Sequence, residues 1–168
     1  MRIAEAVELL EQSDVYKTWR KGHPKAFLVH AFCLRKDGLQ SEWQLGYYVF
    51  TKDTMFTFFI QDPIKVSPES EVFKHPEAKV LRLDPYLVEA QLDQVLEKCG
   101  KLIESEYKGQ IPDQTIVILQ HLEGLGQVWN ITFVTKQLHT LNIKVDAKSA
   151  EVKEHKLTNI FSFVQEDS

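Results

Sequence analysis

The sequence predicts an α+β fold made of two tandem units, residues 1–83 and 84–168, each a helix packed on an antiparallel sheet. Three observations predict it. A helical pattern followed by strand patterns occurs twice. Each helical pattern has a single apolar stripe, which covers one face of one sheet. Short matches between the halves recur in the same order. Nothing between the halves reads as a flexible linker, because Asp84-Pro85 is a joint. The units are therefore expected to pack together or to share one continuous sheet.

The first element spans residues 3–21. Ile3, Val7, Leu10 and Asp14 fall at helical spacing, widened by Ala6 and Leu9. Glu5, Glu8 and Glu11 come early and Lys17, Arg20 and Lys21 late, an order that complements the helix dipole. Gly22 and Pro24 end it. Residues 26–34 are apolar on both faces and read as a central strand. Lys36-Asp37-Gly38 is a turn. Residues 42–51 and 54–61 form a hairpin joined at Lys52-Asp53. The chain is irregular after Pro63, and residues 79–83 read as one more short strand. Asp84 caps and Pro85 opens a second helix, with Val88, Leu92, Val95, Cys99 and Leu102 as its buried stripe. Lys108-Gly109 and Pro112 close it. Strands follow at 114–121, 127–135, 138–146 and 152–164, with Gly124-Leu125-Gly126 as a turn. In 138–146, His139, Leu141, Ile143 and Val145 share one face, the mark of a half-exposed antiparallel strand.

The matches between halves are specific residues. Thr51-Lys52 and Thr135-Lys136 lie 84 apart, as do Asp62 and Asp146. Trp43 and Trp129, each near the start of a second strand, lie 86 apart. Glu71-Val72 and Glu151-Val152 lie 80 apart, with His75 and His155 four residues after each Glu. Small insertions explain the drifting offset, and collinearity makes an internal duplication the preferred reading.

Composition narrows the class. With 168 residues and a net charge of −4, the chain suits one domain or two small ones. Hydrophobics at 43% are enough to bury a core. No apolar run reaches the roughly 18 residues that span a membrane. The acids in MRIAEAVELLEQSD make the N-terminus an amphipathic helix and not a signal peptide. Cys33 and Cys99 are too few for a disulfide framework. They read as reduced thiols, and the expected location is the cytoplasm. The acidic balance argues against nucleic acid as the main partner.

The second unit carries Val128-Trp129 near the start of a strand, Asn142 to Asp146 closing the next, and Ala147-Lys148-Ser149-Ala150-Glu151-Val152 turning into the last. Over residues 86–155 this resembles the PepSY-like and cystatin-like small domains. Their pattern is a Trp strand, a Val-Asp strand end and a Ser/Thr-Gly-Glu-Val turn. Ala150 stands at the family's glycine position, where a positive φ is strained. The first unit keeps Trp43 and Asp62 of this pattern. The resemblance implies a non-catalytic protein that binds or inhibits proteases or accompanies cell-envelope proteins. The Gln-x-Val-x-Gly inhibitory loop of cystatins is not in the sequence.

Little in the sequence reads as catalytic chemistry. None of His23, His30, His75, His121, His139 and His155 has a His or Cys at metal-ligand spacing, so no metal or cofactor is expected. Cys33 and Cys99 sit on apolar stripes, as structural thiols do. Glu104 and Glu106 lie on an exposed helix end, not in a pocket. Gly124-Leu125-Gly126 lacks the Lys-Ser/Thr of a phosphate loop.

Two features point to binding. Between residues 15 and 36 the chain has basic residues and no acid. Lys17, Arg20, Lys21 and Arg35 are candidate anion ligands, although a helix C-terminus also favours cations. Seven aromatic residues lie between positions 43 and 59. One helix cannot hide both aromatic faces, so the second unit or a partner covers the other. The first function expected is a non-enzymatic module binding a protein partner or a second copy, with Trp43, Tyr48, Phe50 and Trp129 as anchors. The alternatives are a small-molecule binder or enzyme with His30 and Tyr47 in a helix–sheet pocket, and a phosphate or nucleic-acid module using the basic segment.

Overall fold

The computed structural model describes residues 1–72 and 78–161. Among the described residues the fold is α+β, with the helices Ile3–Glu11, Asp14–Gly22 and Leu92–Glu106 on one face of a ten-stranded antiparallel sheet. In chain order the elements are α1 (Ile3–Glu11), α2 (Asp14–Gly22), β1 (Phe27–Lys36), β2 (Leu39–Gln40), β3 (Trp43–Val49), β4 (Thr54–Ile60), β5 (Lys65–Val66) and β6 (Ser70–Glu71). A 3-10 turn (Pro85–Leu87) then leads to α3 (Leu92–Glu106), β7 (Pro112–Leu122), β8 (Gly126–Thr135), β9 (His139–Asp146) and β10 (Val152–Asn159). The main strand order is β10-β9-β8-β7-β1-β3-β4-β5, with β2 beside β1 and β6 beside β4. Among the described residues no helix is long and apolar enough to cross a membrane.

The halves join edge to edge. β1 and β7 pair from His30 opposite Gln120 to Lys36 opposite Gln114, and Phe32 faces Ile118. The sheet is thus continuous. Alternate strand residues enter one core with the apolar sides of all three helices. They include Leu45, Phe58, Leu119, Ile131 and Ile143, packed with Val7, Leu10, Val95 and Cys99.

Local chemistry corrects several expected boundaries. The helix expected over 3–21 is two helices. Ser13 breaks it, because its hydroxyl donates to the Leu10 carbonyl at 2.6 Å and accepts the Tyr16 N–H at 3.2 Å, which caps a new helix. Asp14 is therefore the first residue of α2 and not part of a stripe. The Glu5 carboxylate accepts the Arg2 N–H at 2.9 Å and opens α1.

Asp84-Pro85 opens only the 3-10 turn, where Asp84 accepts the Tyr86 N–H at 3.0 Å. The chain then runs extended, because the N–H groups of Glu89 and Ala90 both donate to the Ala147 carbonyl, at 3.0 and 2.9 Å. α3 starts only at Leu92, so Val88 precedes the helix. Val95, Cys99 and Ile103 form its buried stripe, with Leu92 and Leu102 partly buried. Residues 79–83 form no strand. They are tied to the sheet by the Leu83 N–H on the Leu28 carbonyl at 2.8 Å and by the Arg82 carbonyl at 2.9 Å from His121 Nδ1 on β7. Ala150 adopts φ +63° despite its Cβ, and Lys98 Nζ reaches its carbonyl at 2.5 Å. β10 ends at Asn159. The rest of the strand expected to 164, and His75 of the repeat comparison, lie outside the described residues.

Candidate functional site

Two regions could bind something, one on each face of the sheet. The helix-side region is built from aromatic residues at matched spacings. Tyr16 and Trp19 lie three apart on α2 and share its inner side. Tyr47 on β3 and Phe56 and Phe58 on β4 project from the sheet toward them. The Trp19 ring is 4.9 Å from Phe58 and 5.5 Å from Tyr47, and Tyr16 is 5.8 Å from Tyr47. Beside this cluster is a cavity of about 290 Å³ between the two N-terminal helices, the start of β1 and residues 82–86.

Polar groups reach this cavity. Burial raises the Tyr16 and Tyr47 phenols above their ordinary range, so both are neutral at physiological pH. Arg20 lies 5.9 Å over the Tyr16 ring and donates to the carbonyls of His23 at 3.2 Å and Ala26 at 2.5 Å. Arg82 also borders the cavity, but its guanidinium lies 5.1 Å over the Phe27 ring, within cation–π range, beside Tyr48 on the other face of the sheet.

The opposite face has no helix on it among the described residues. Across its middle runs a row set by the strand register: Phe59 on β4, Gln44 on β3, Phe32 on β1, Ile118 on β7, Asn130 on β8 and Lys144 on β9. Leu34 and Ile116 sit side by side in the next row. All of these are partly exposed. Toward β10 the face turns polar. Asn142 donates to Asn130 at 2.6 Å and to Thr132 at 3.0 Å, while Lys144 donates to Asn142 at 2.8 Å and pairs with Glu154 at 3.6 Å.

The candidate residues fall in different places. Trp43 and Trp129 are 5% and 2% exposed, and their rings lie 6.1 Å apart beneath the helices. Trp129 also donates to the Ala90 carbonyl at 2.9 Å. Tyr48 is 7% exposed, beside Phe27, with its hydroxyl on Asp53. These three are packing residues in this chain and offer a partner almost no surface. Phe50 is 52% exposed at the tip between β3 and β4. The basic candidates do not converge. Lys17 and Lys21 are exposed on α2, and Arg20 holds backbone carbonyls. Arg35 is eight residues beyond Phe27 on β1, roughly 26 Å away. There it contacts Gln40 at 2.8 Å and Asp93 at 3.3 Å.

His30 and Tyr47 do not share a pocket. Leu28 pairs with Tyr47 and, beyond a bulge at Val29, His30 pairs with Gly46, so the two side chains lie on opposite faces. Of the two expected arrangements, packing together or sharing one continuous sheet, the second half takes the latter and extends the sheet sideways, so that it does not cover the far face. Phe32 and Ile118 were missed as candidates, although a first strand apolar on both faces was their signal. Cys33 and Cys99 are fully buried, and burial pushes both thiols up to about 12. At neutral pH they are not thiolates.

Burial holds the His30 imidazole below its ordinary value of 6.5. The unfolded chain then takes up a proton near pH 6.5 that the folded chain refuses. This contribution to stability is complete above pH 6.5 and declines as pH falls from there through the folded value. Urea midpoints at pH 7 and pH 5 should therefore differ more for the wild type than for His30→Gln. Equal differences would assign the acid sensitivity to other groups.

No protein-family model matches the chain, and no curated protein matches it either. Among solved structures, the crystal structure of a "putative lipoprotein" from Clostridium difficile 630 resembles it, with a TM-score of 0.51 over 89% of this chain and 97% of that one. Sequence identity is 15%, so the likeness is one of fold alone.

Proposed function

We propose that this chain is a non-catalytic interaction module that binds a protein segment of apolar and acidic character on the helix-free face of its sheet. The observation that carries this reading is the partly exposed row Phe59–Phe32–Ile118 at the centre of a sheet whose helices α1, α2 and α3 lie on the other side. Charge indicates the kind of partner. Lys36, Lys65, Lys144 and Lys156 project on this face by register. Two of its acids are committed: Glu154 pairs with Lys144, and Asp146 accepts the Lys148 and Ser149 N–H groups at 2.9 and 2.8 Å. On a chain of net charge −4, this face favours an acidic ligand. A second copy docked face to face would oppose like charges. The β10 edge, with Lys153, Glu154, His155 and Lys156 exposed, is guarded against strand addition.

The reading rests on a tandem, PepSY-like architecture with one helix-and-sheet unit per half. Strand register supports it. Moving β3 by 86 residues carries Trp43 onto Trp129 and Leu45 onto Ile131, and the same shift carries Phe32 onto Ile118, its own partner across the β1–β7 joint. Two related halves meeting about a local two-fold axis would produce that coincidence.

The test is selection from a random library of peptides about a dozen residues long. Enriched peptides should combine acidic and large apolar residues and bind more weakly as salt rises. Ile118→Thr and Lys144→Gln should each weaken them about ten-fold, the effect of losing one central contact. Selection of nothing, or of peptides indifferent to both substitutions and to salt, overturns the proposal. Light scattering over a dilution series should show a monomer.

A further inference from the structure

We propose that the cavity where α1 and α3 begin, floored by the Trp43 and Trp129 indoles, binds a small monocarboxylate carrying one apolar ring, its carboxylate set between the two helix N-termini and the Trp43 indole N–H. The site lies on the helix side of the sheet and does not depend on the reading of the opposite face.

The cavity holds about 190 Å³ and is lined by the first residues of both helices, Ile3 and Ala4 on α1 and Leu92 on α3. A helix directs its first N–H groups toward its start, where no acceptor of its own reaches them. A side-chain oxygen on the preceding residue ordinarily meets them. Here α1 follows Arg2, which has no acceptor on its side chain, and α3 follows Gln91, whose amide turns to the Glu89 carbonyl at 3.4 Å. The acids in the two first turns are engaged elsewhere. Glu5 accepts the Arg2 N–H at 2.9 Å, Asp93 pairs with Arg35 at 3.3 Å, and neither lines the cavity.

The Trp43 indole is an observation independent of the helices. It is 5% exposed, and its N–H has no hydrogen bond among the described residues. The Trp129 N–H, by contrast, is taken by the Ala90 carbonyl at 2.9 Å. Among unpartnered buried nitrogens, Trp19 Nε1 is sealed from all open space and Trp43 Nε1 is not. The Trp43 N–H therefore opens onto the cavity that its ring lines. So deep a donor is costly unless an acceptor meets it.

Two uncapped helix N-termini, a buried indole N–H and Arg2 at the rim meet at one space, and together they select an anion. The walls select its body. Val88, Leu92 and the two indoles, 6.1 Å apart, are apolar. A cavity of roughly 150 Å³ accepts one benzene ring. An inorganic anion would leave these walls unmatched, and an uncharged ring would leave the donors unmatched. A carboxylate on a single ring answers both.

The test is titration of the full chain with benzoate at pH 7, followed by calorimetry and by tryptophan fluorescence, since Trp43 and Trp129 both line the site. Saturable binding is expected at or below about 1 mM, the range of a few good polar contacts. Benzamide lacks the charge, benzylamine reverses it and sulfate lacks the ring, so each should bind at least about ten-fold more weakly. Gln91→Asp separates binding from stability. The substituted side chain offers its own carboxylate to the α3 N–H groups, so the thermal midpoint should rise by about 2–4 °C, while benzoate weakens about ten-fold or more. Trp43→Phe keeps an aromatic ring without the N–H and should weaken benzoate about ten-fold. No saturation up to about 10 mM, benzamide or sulfate binding as well as benzoate, or benzoate binding unchanged in Gln91→Asp would overturn the proposal. If Trp43→Phe fails to fold, Gln91→Asp decides the question alone.

Discussion

Trp129→Ala is expected to destabilise the chain by about 3–5 kcal/mol, the range for removing a fully buried large aromatic. The indole is 2% exposed. It closes the junction between the halves from below, with the Trp43 ring at 6.1 Å and the Ala90 carbonyl at 2.9 Å. Its removal leaves a cavity and an orphaned carbonyl in the extended segment ahead of α3. For a chain of this size the thermal midpoint should fall by roughly 10 °C. Trp129→Phe should cost less, because it keeps part of the ring volume and loses the N–H. The same experiment separates a core residue from a surface anchor. An anchor would leave the midpoint within about 1 °C of wild type and remove only partner binding. A double-mutant cycle with Trp43→Ala should show coupling of about 0.5–1.5 kcal/mol, as touching aromatics do.

Gly46→Ala should destabilise by about 1–3 kcal/mol, the range for forcing extra volume into a packed site. A Cβ on Gly46 would lie 2.3 Å from His30 Cε1, 2.5 Å from Nε2 and 2.8 Å from Nδ1. The imidazole lies against the bare backbone of the neighbouring strand, where only glycine leaves room. Alanine within a strand would otherwise be preferred to glycine, so the sign of the effect is informative. Steric conflict predicts loss, and backbone propensity alone predicts gain. In the His30→Ala background the penalty should largely disappear, because the obstructing ring is gone. Gly46→Ala should also turn His30 toward water and return its pKa toward 6.5, so the extra acid sensitivity of the wild type should fade. A stabilised Gly46→Ala protein with His30 unchanged would refute the contact.

Much of this architecture is legible in the residues. Leu141, Ile143 and Val145 are buried on one face of β9, as their alternation requires. The strands of the second half lie within about two residues of their expected starts, because a two-residue period is a strong local signal. The helices were less legible. The apolar spacing over 3–21 runs through Ser13 without a flaw, and the hydroxyl that divides it acts through two backbone groups that periodicity does not record. The start of α3 depends on the Ala147 carbonyl, nearly sixty residues further along the chain. Asp84-Pro85 is a sound local signal for a helix start, and here a distant acceptor delays the helix by holding Glu89 and Ala90 extended.

The candidate sites divide in the same way. Aromatic density between Trp43 and Phe59 shows that both faces of that sheet carry large side chains, but density does not say which rings end up covered. Tyr47 and Phe58 go beneath α2, while Tyr48 and Phe59 take the other side by alternation. Charge clustering in the sequence is similarly blind to direction. Arg20 and Arg35 lie close in the chain yet at opposite ends of β1, since an extended strand separates what a helix would gather.

By itself, the sequence determined an α+β chain with helix-then-strands order in each half, an apolar first strand suited to the middle of a sheet, and two cysteines that stay inside. These follow from local periodicity and composition, which each segment carries alone. Only the tertiary structure decided that β1 and β7 join the halves edge to edge, that Trp43 and Trp129 meet beneath the helices, and that among the described residues the face bearing Phe32 and Ile118 has no helix over it. Side-by-side joining satisfies the strand edges that face-to-face packing would leave unpaired. Edge pairing and face packing use the same residues in the same alternation, and the choice between them is made by backbone hydrogen bonds that no side-chain pattern encodes.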